Sequence, residues 1–125
     1  MANELQLGAS VFFVKNDGAA IDWSKSGILR TVAGNAHVGA QVVSVGTSEE
    51  VIPLGEVTAA KALIFGQNLD YTNYIEIRYA TGASFDVVYV GPREPFMFRF
   101  GTDVTAPYWI ANTAAVLVQY GLIPV

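Results

Sequence analysis

Short apolar runs, broken by glycine and proline at nearly even spacing, constrain this chain more than any other feature. Leu5, Leu7, Ala9, Val11 and Phe13 alternate with Glu4, Gln6, Gly8, Ser10 and Phe12, the two-residue period of a half-buried strand. Asn16-Asp17-Gly18 then supplies a turn, with Gly18 free to take positive φ. Residues 21–23 and 28–32 are short apolar pieces around Ser24-Lys25-Ser26-Gly27, and Gly34-Asn35 is a second turn. Between Val42 and Val43 the alternation changes phase, which predicts a β-bulge in mid-strand. Beyond Thr47, residues 50–54, 61–67, 74–80, 85–90, 95–100 and 114–120 read as strands. Gly82, Gly91-Pro92, Gly101 and Gly121 separate or close them. Pro53 has no amide hydrogen for a ladder, so its segment belongs at a sheet edge or strand end. Only residues 58–63 offer one helical turn, and Val57 and Thr58 weaken it. The pattern predicts a single all-β domain over residues 1–125, an antiparallel β-sandwich of jelly-roll-like type.

A chain of 125 residues is long enough to bury a real core and too short for two ordinary domains. It has no cysteine, hence no disulfide, thiolate nucleophile or thiolate-bound zinc, and one histidine, His37. The charge content is unusual. Seven basic and eleven acidic residues make 14% of the chain charged, against roughly 25% in an ordinary soluble domain. Hydrophobic residues reach 52%. With so few charges to cover it, part of the surface is expected to be buried against copies of the chain or another protein. The net charge of −4 and the scattered basic residues argue against a nucleic-acid partner. No apolar run approaches the roughly 20 residues that cross a bilayer, and residues 1–7 lack a secretory pattern. A soluble product made in the cytoplasm, without a membrane partner, is the expectation.

Little in the chain points to catalysis. No Gly-x-Ser-x-Gly elbow accompanies His37, and no Gly-Lys-Ser/Thr phosphate loop follows a strand. No spacing rule links any two of Glu49, Glu50, Glu56, Glu76, Asp86 and Glu94 into a hydrolytic pair. No enzyme, catalytic residue, metal or cofactor is expected. Asn68, Asp70, Thr72 and Asn73 offer side-chain oxygens at close spacing, as loop calcium sites do. With one carboxylate among them, the preferred reading is structural: Asx turns that close a corner so that segments 61–67 and 74–80 can pair. Trp23, Trp109 and the tyrosines keep open a carbohydrate-binding module, since exposed rings on a sandwich can stack on sugars. The same rings equally serve cores and protein interfaces. Candidate interface residues are Tyr108 and Trp109, in a piece too apolar for a solvated tip, and Leu122, Ile123 and Val125 at the apolar C-terminus.

The pieces "VIPLGEV" (51–57), "NLDYTNYIEI" (68–77), "REPFMFRF" (93–100) and "ANTAAVLVQYGLI" (111–123) occur in that order after Thr47. Their succession resembles a group of small bacteriophage virion structural proteins, over residues 44–123. Arg93 stands where that group has glycine. The resemblance implies a β-sandwich that coats or stabilises the particle as a capsid decoration or cement protein, a head fibre or a tail component. It implies a virion address, oligomeric contacts with a trimer favoured by analogy, and a major capsid or other virion protein as partner. It brings no catalytic or ligand residues. A glycan on the host surface remains the alternative partner.

Overall fold

The computed structural model describes residues 4–14, 16, 18, 20–32, 36–82 and 87–125. The described residues form strands and turns without a helix, all strand pairing being antiparallel. The single domain expected over 1–125 divides into two compact units, Met1–Asn35 and Ala36–Val125.

The first unit is one long hairpin, β1 (Glu4–Val14) and β2 (Ala20–Thr31). The two apolar pieces expected at 21–23 and 28–32 are therefore parts of one strand. What joins them is a bulge. Leu7 pairs with Ile28 but Ala9 pairs with Lys25, so Gly8 alone faces Ser26-Gly27, and Gly27 takes φ 70°. The extra residue resets the alternation and returns Ile28 to the face that carries Trp23 and Ile21. Gly18, in the connecting turn, has φ 88°, as the turn reading requires; Asp17 and the Gly34-Asn35 turn lie outside the described residues.

The second unit is a β-sandwich of two four-stranded sheets. One runs β3 (Val38–Val45), β10 (Val116–Ile123), β5 (Leu63–Asn68), β8 (Pro95–Arg99). The other runs β4 (Glu50–Val51), β9 (Tyr108–Ala111), β6 (Ile75–Arg78), β7 (Val87–Val90). Among the described strands of this unit only β6 and β7 are consecutive and paired; every other connection carries the chain from one sheet to the other. Pro53 leaves β4 as a two-residue strand at a sheet edge. Residues 85 and 86, expected to open the β7 segment, lie outside the described residues. β9 has no counterpart among the expected strands. The bulge expected at Val42–Val43 lies instead between Val38 and Gln41, where the pairing to β10 shifts. Val43 and Val45 turn toward the core while Val42 is exposed.

The core lies between the sheets. Val45, Ile64, Val116, Val118, Tyr120 and Leu122 from one sheet meet Ile75, Ile77, Val90, Trp109 and Ala111 from the other, all essentially inaccessible. Strand alternation explains the selection: along β10, Val116, Val118 and Tyr120 point in while Leu117 and Gln119 point out. The Tyr120 hydroxyl donates to the Pro53 carbonyl at 2.7 Å and accepts from Gln41 at 3.0 Å, which satisfies the one polar atom of a buried ring. Gly66 lets strands approach over this core, since a Cβ there would strike the Gln119 carbonyl and the Phe96 ring.

Two of the expected interface residues thus belong to the interior. Leu122 is fully buried, and Trp109 packs edge-on against Tyr120 with ring centroids 4.9 Å apart. The C-terminal strand runs three residues beyond its expected end at Tyr120 because Gly121, Leu122 and Ile123 pair with Phe65, Ile64 and Leu63. Leu122→Ala is expected to lower stability by about 2–5 kcal/mol through the cavity it leaves. Urea unfolding measures this directly; a change under about 1 kcal/mol would place Leu122 outside the core.

Candidate functional site

Three places in the chain concentrate polar or exposed apolar side chains: the corner after β5, the outer face of the β4-β9-β6-β7 sheet, and the hairpin. The corner is built first by Asn68, whose side chain is fully buried. Its Nδ2 donates to the Asn73 carbonyl at 2.8 Å, the Gly91 carbonyl at 3.1 Å and the Val90 carbonyl at 3.3 Å. Its Oδ1 accepts from the Asp70 amide at 2.9 Å. Asp70 Oδ1 in turn accepts from the Thr72 and Asn73 amides, each at 2.7 Å. Asn112 Oδ1 accepts from the Tyr74 amide at 3.0 Å, and Thr113 Oγ1 donates to Asn73 Oδ1 at 2.7 Å.

Asn68, Asp70 and Asn73 thus face backbone and neighbouring side chains, and Thr72 contributes its amide. The corner does not make its flanking strands pair, as the sequence reading expects. β5 pairs with β8 and β10, β6 with β7 and β9, and the corner carries the chain across the sandwich. Arg93, at φ 63° where glycine is expected, donates its amide to the Asp70 carbonyl and lays its guanidinium 4.7 Å from the Tyr71 ring centre. An arginine in this left-handed conformation is held by the bonds it makes to the corner.

On the outer face of the second sheet, Arg78 donates to Glu49 at 2.8 Å and Glu76 at 3.0 Å. Glu49 also accepts from the Thr81 hydroxyl and the Gly82 amide. The Thr81 hydroxyl first, then Arg78, hold the Glu49 carboxyl below its usual range. The Arg78 guanidinium is raised above its ordinary value by the same two carboxylates. Beside this network the Tyr74 and Tyr89 rings lie 4.7 Å apart, with Tyr89 58% exposed. Tyr74, Glu76, Arg78, Ile110 and Asn112 border a shallow depression of about 170 Å³. A flat ring next to fixed acceptors and donors is chemistry that suits a sugar, and the one guanidinium is already held by two carboxylates.

Among the described residues, about half of the exposed large apolar side chains lie on the hairpin. Strand alternation and the bulge gather Leu5, Leu7, Ala9, Val11 and Phe13 of β1 with Ile21, Trp23 and Ile28 of β2 on one face. Val11, Phe13, Ile21 and Trp23 are 54, 47, 55 and 46% exposed. Lys25 and Arg30 are the charged residues of this face, opposite Ala9 and Leu5. Glu4, Gln6, Ser10, Asp22, Ser24 and Thr31 make the other face polar, interrupted by Phe12, Val14 and Leu29.

No protein-family model, curated protein or solved structure matches this chain.

Of the expected interface residues, Tyr108, Ile123 and Val125 are partly exposed and scattered, while Trp109 and Leu122 are buried. The hairpin's apolar face is a candidate surface that contains none of the expected site residues. Its signal was present in the alternation of residues 4–13 around exposed Phe13 and Trp23, but the bulge hid its continuation in β2. Of the acidic residues, Glu49 and Glu76 converge on Arg78, while Asp86 lies outside the described residues. Among the described residues, no three metal-ligating acidic, histidine or cysteine side chains cluster.

Two outcomes test the corner. Asn68→Ala strands three buried or part-buried carbonyls and is expected to cost about 2–3 kcal/mol; Asn68→Asp, which points a carboxylate at those carbonyls, should cost more. Equal stability of all three proteins in urea would contradict the assignment. The Asp70 carboxyl is lowered below its usual value by the Asn73 and Thr72 amides. Its stabilising contribution is therefore complete above the ordinary carboxylate range and is lost as pH falls through the lowered value, below about pH 4. Asp70→Asn keeps the acceptor without the titration, so its urea midpoint should fall less between pH 5 and pH 2 than that of the parent protein.

Proposed function

We propose that this protein is a non-enzymatic structural component of a bacteriophage virion, a capsid decoration or cement protein that works through protein–protein contacts. The single observation that carries the reading is the hairpin: a row of apolar side chains on one face of a two-stranded ribbon too thin to bury them by itself. A charge content well below the ordinary value supports it, because a surface meant for neighbours needs fewer solubilising charges. We further read the sandwich unit as a jelly roll, in which successive strands shuttle between two four-stranded sheets. Capsid and lectin domains both use that architecture, which is support by fold analogy alone. The conspicuous charged cluster, Glu49–Arg78–Glu76, ties both carboxylates to one guanidinium, which fits a structural role better than acid–base work.

The test is binding to particles assembled without the protein. Purified protein should co-sediment with them in saturable amount and raise their resistance to heat or low salt. Protein that stays in the supernatant at micromolar concentration would overturn the reading.

A glycan-binding reading rests on Tyr89 and the depression beside it. It calls for a hit on a glycan array that is lost in Tyr89→Ala, and an array without hits ends it.

A further inference from the structure

The geometry points to a second copy of this chain as the occupant of the hairpin's apolar face: we propose that two hairpins pack face to face as a four-stranded, two-layer sandwich. This does not rest on the virion reading. An isolated two-stranded hairpin is marginal in water, and three or more strands with an apolar face, or a packed partner layer, are needed for stability. β1 and β2 are 11 and 12 residues long, both well above the usual strand length, with most of their side chains exposed. Whatever covers them must be present whenever the chain folds, and a second copy always is.

The area fits. Complete covering of the eight apolar side chains in both copies would remove on the order of 1,000 Å², the low end for a specific interface. The distribution of charge fits as well. Glu4 and Asp22 lie on the face that would remain in water, and pairing the apolar faces buries no acid. The product is mostly apolar inside, with Lys25 and Arg30 of each copy in the layer, and polar outside except at Phe12, Val14 and Leu29, close to the arrangement of a β-sandwich.

Charge and size also choose the orientation. A two-fold axis across the strands would bring Lys25, at the middle of the ribbon, onto the partner's Lys25. An axis along the ribbons lays β1 over the partner's β2 instead. Residues paired within one hairpin then meet between layers: Ala9 faces the partner's Lys25, Val11 the partner's Trp23, and Phe13 the partner's Ile21. The smallest side chain of the face receives the lysine, whose stem can run out to the open edge of the ribbon. A C2 pair of this kind is self-complementary and closed. It replaces the trimer expected by analogy with a dimer.

Light scattering coupled to size exclusion, with acrylamide quenching of tryptophan, tests the proposal on the full chain. The chain holds two tryptophans, and Trp109 is buried, so quenching reports on Trp23. At micromolar concentration the protein should be a dimer with Trp23 shielded. Val11→Asp, on the apolar face, should give a monomer whose quenching constant rises at least threefold. Ser10→Asp places the same charge on the same strand but on the polar face, and should remain a shielded dimer. Near-ultraviolet circular dichroism, dominated by the sandwich unit's aromatics, should be retained in both variants. A parent protein that is monomeric with Trp23 open to quencher would overturn the proposal, as would an oligomer that survives Val11→Asp or is lost equally in Ser10→Asp. A trimer abolished by Val11→Asp would overturn the two-copy geometry. A dimer that ignores virus particles sinks the virion reading and leaves this inference standing; a monomer that coats particles does the reverse.

Discussion

The buried carboxamide of Asn68 is the interaction on which the sandwich unit depends. A sandwich whose strands shuttle between sheets must turn nearly every connection across an apolar layer, and each crossing frees backbone groups that no ladder satisfies. Asn68 ends β5 and binds the Val90 and Gly91 carbonyls, where β7 gives way to the crossing toward β8. Asn73 and Asn112 extend the same bonding to the crossing between β9 and β10, and Leu69 donates its amide to the Leu117 carbonyl. Three crossings at one end of the sandwich are thereby fixed to one another, and the facing core strands are held in register. Asparagine suits the role because it carries donors and an acceptor without a charge to bury. Aspartate lacks the donors, and glutamine has an extra methylene for the same cramped space.

The hairpin obeys the opposite logic. The sandwich closes its own core, and its outer faces carry only scattered apolar residues such as Val42, Leu117 and Met97. The hairpin concentrates apolar residues on one side of a ribbon too thin to bury them. A bulge at Gly27 preserves that one-sidedness over the full length of β2, where a regular strand would have put Ile28 among the polar residues. A conformational irregularity that protects an apolar face is of use only if the face meets something.

The all-β class and most strand positions were legible because period-two alternation and Gly/Pro punctuation are local signals. The unusual polar content of residues 68–73 was legible as Asx-turn chemistry for the same reason. The long-range pairing was not. Nothing local states that β5 pairs with β10 and β8, so a corner that crosses between sheets looks in the sequence like the tip of a hairpin. Leu122 and Trp109 show the same limit, since an apolar chain end or loop reads alike whether it fills a core or meets a neighbour. The one-sidedness of the hairpin depends on where the bulge sits, and Ser24-Lys25-Ser26-Gly27 reads from sequence alone as a polar break between two apolar pieces.

The central claim, that the hairpin is a covered element of an assembly, is tested most directly by amide hydrogen exchange resolved along the chain. In native protein the ladder amides of β1 and β2 should exchange on the slow scale of β5 and β10, because docking supplies the stability that two strands lack. Hairpin amides that exchange within seconds, while β5 and β10 stay protected, would contradict the account.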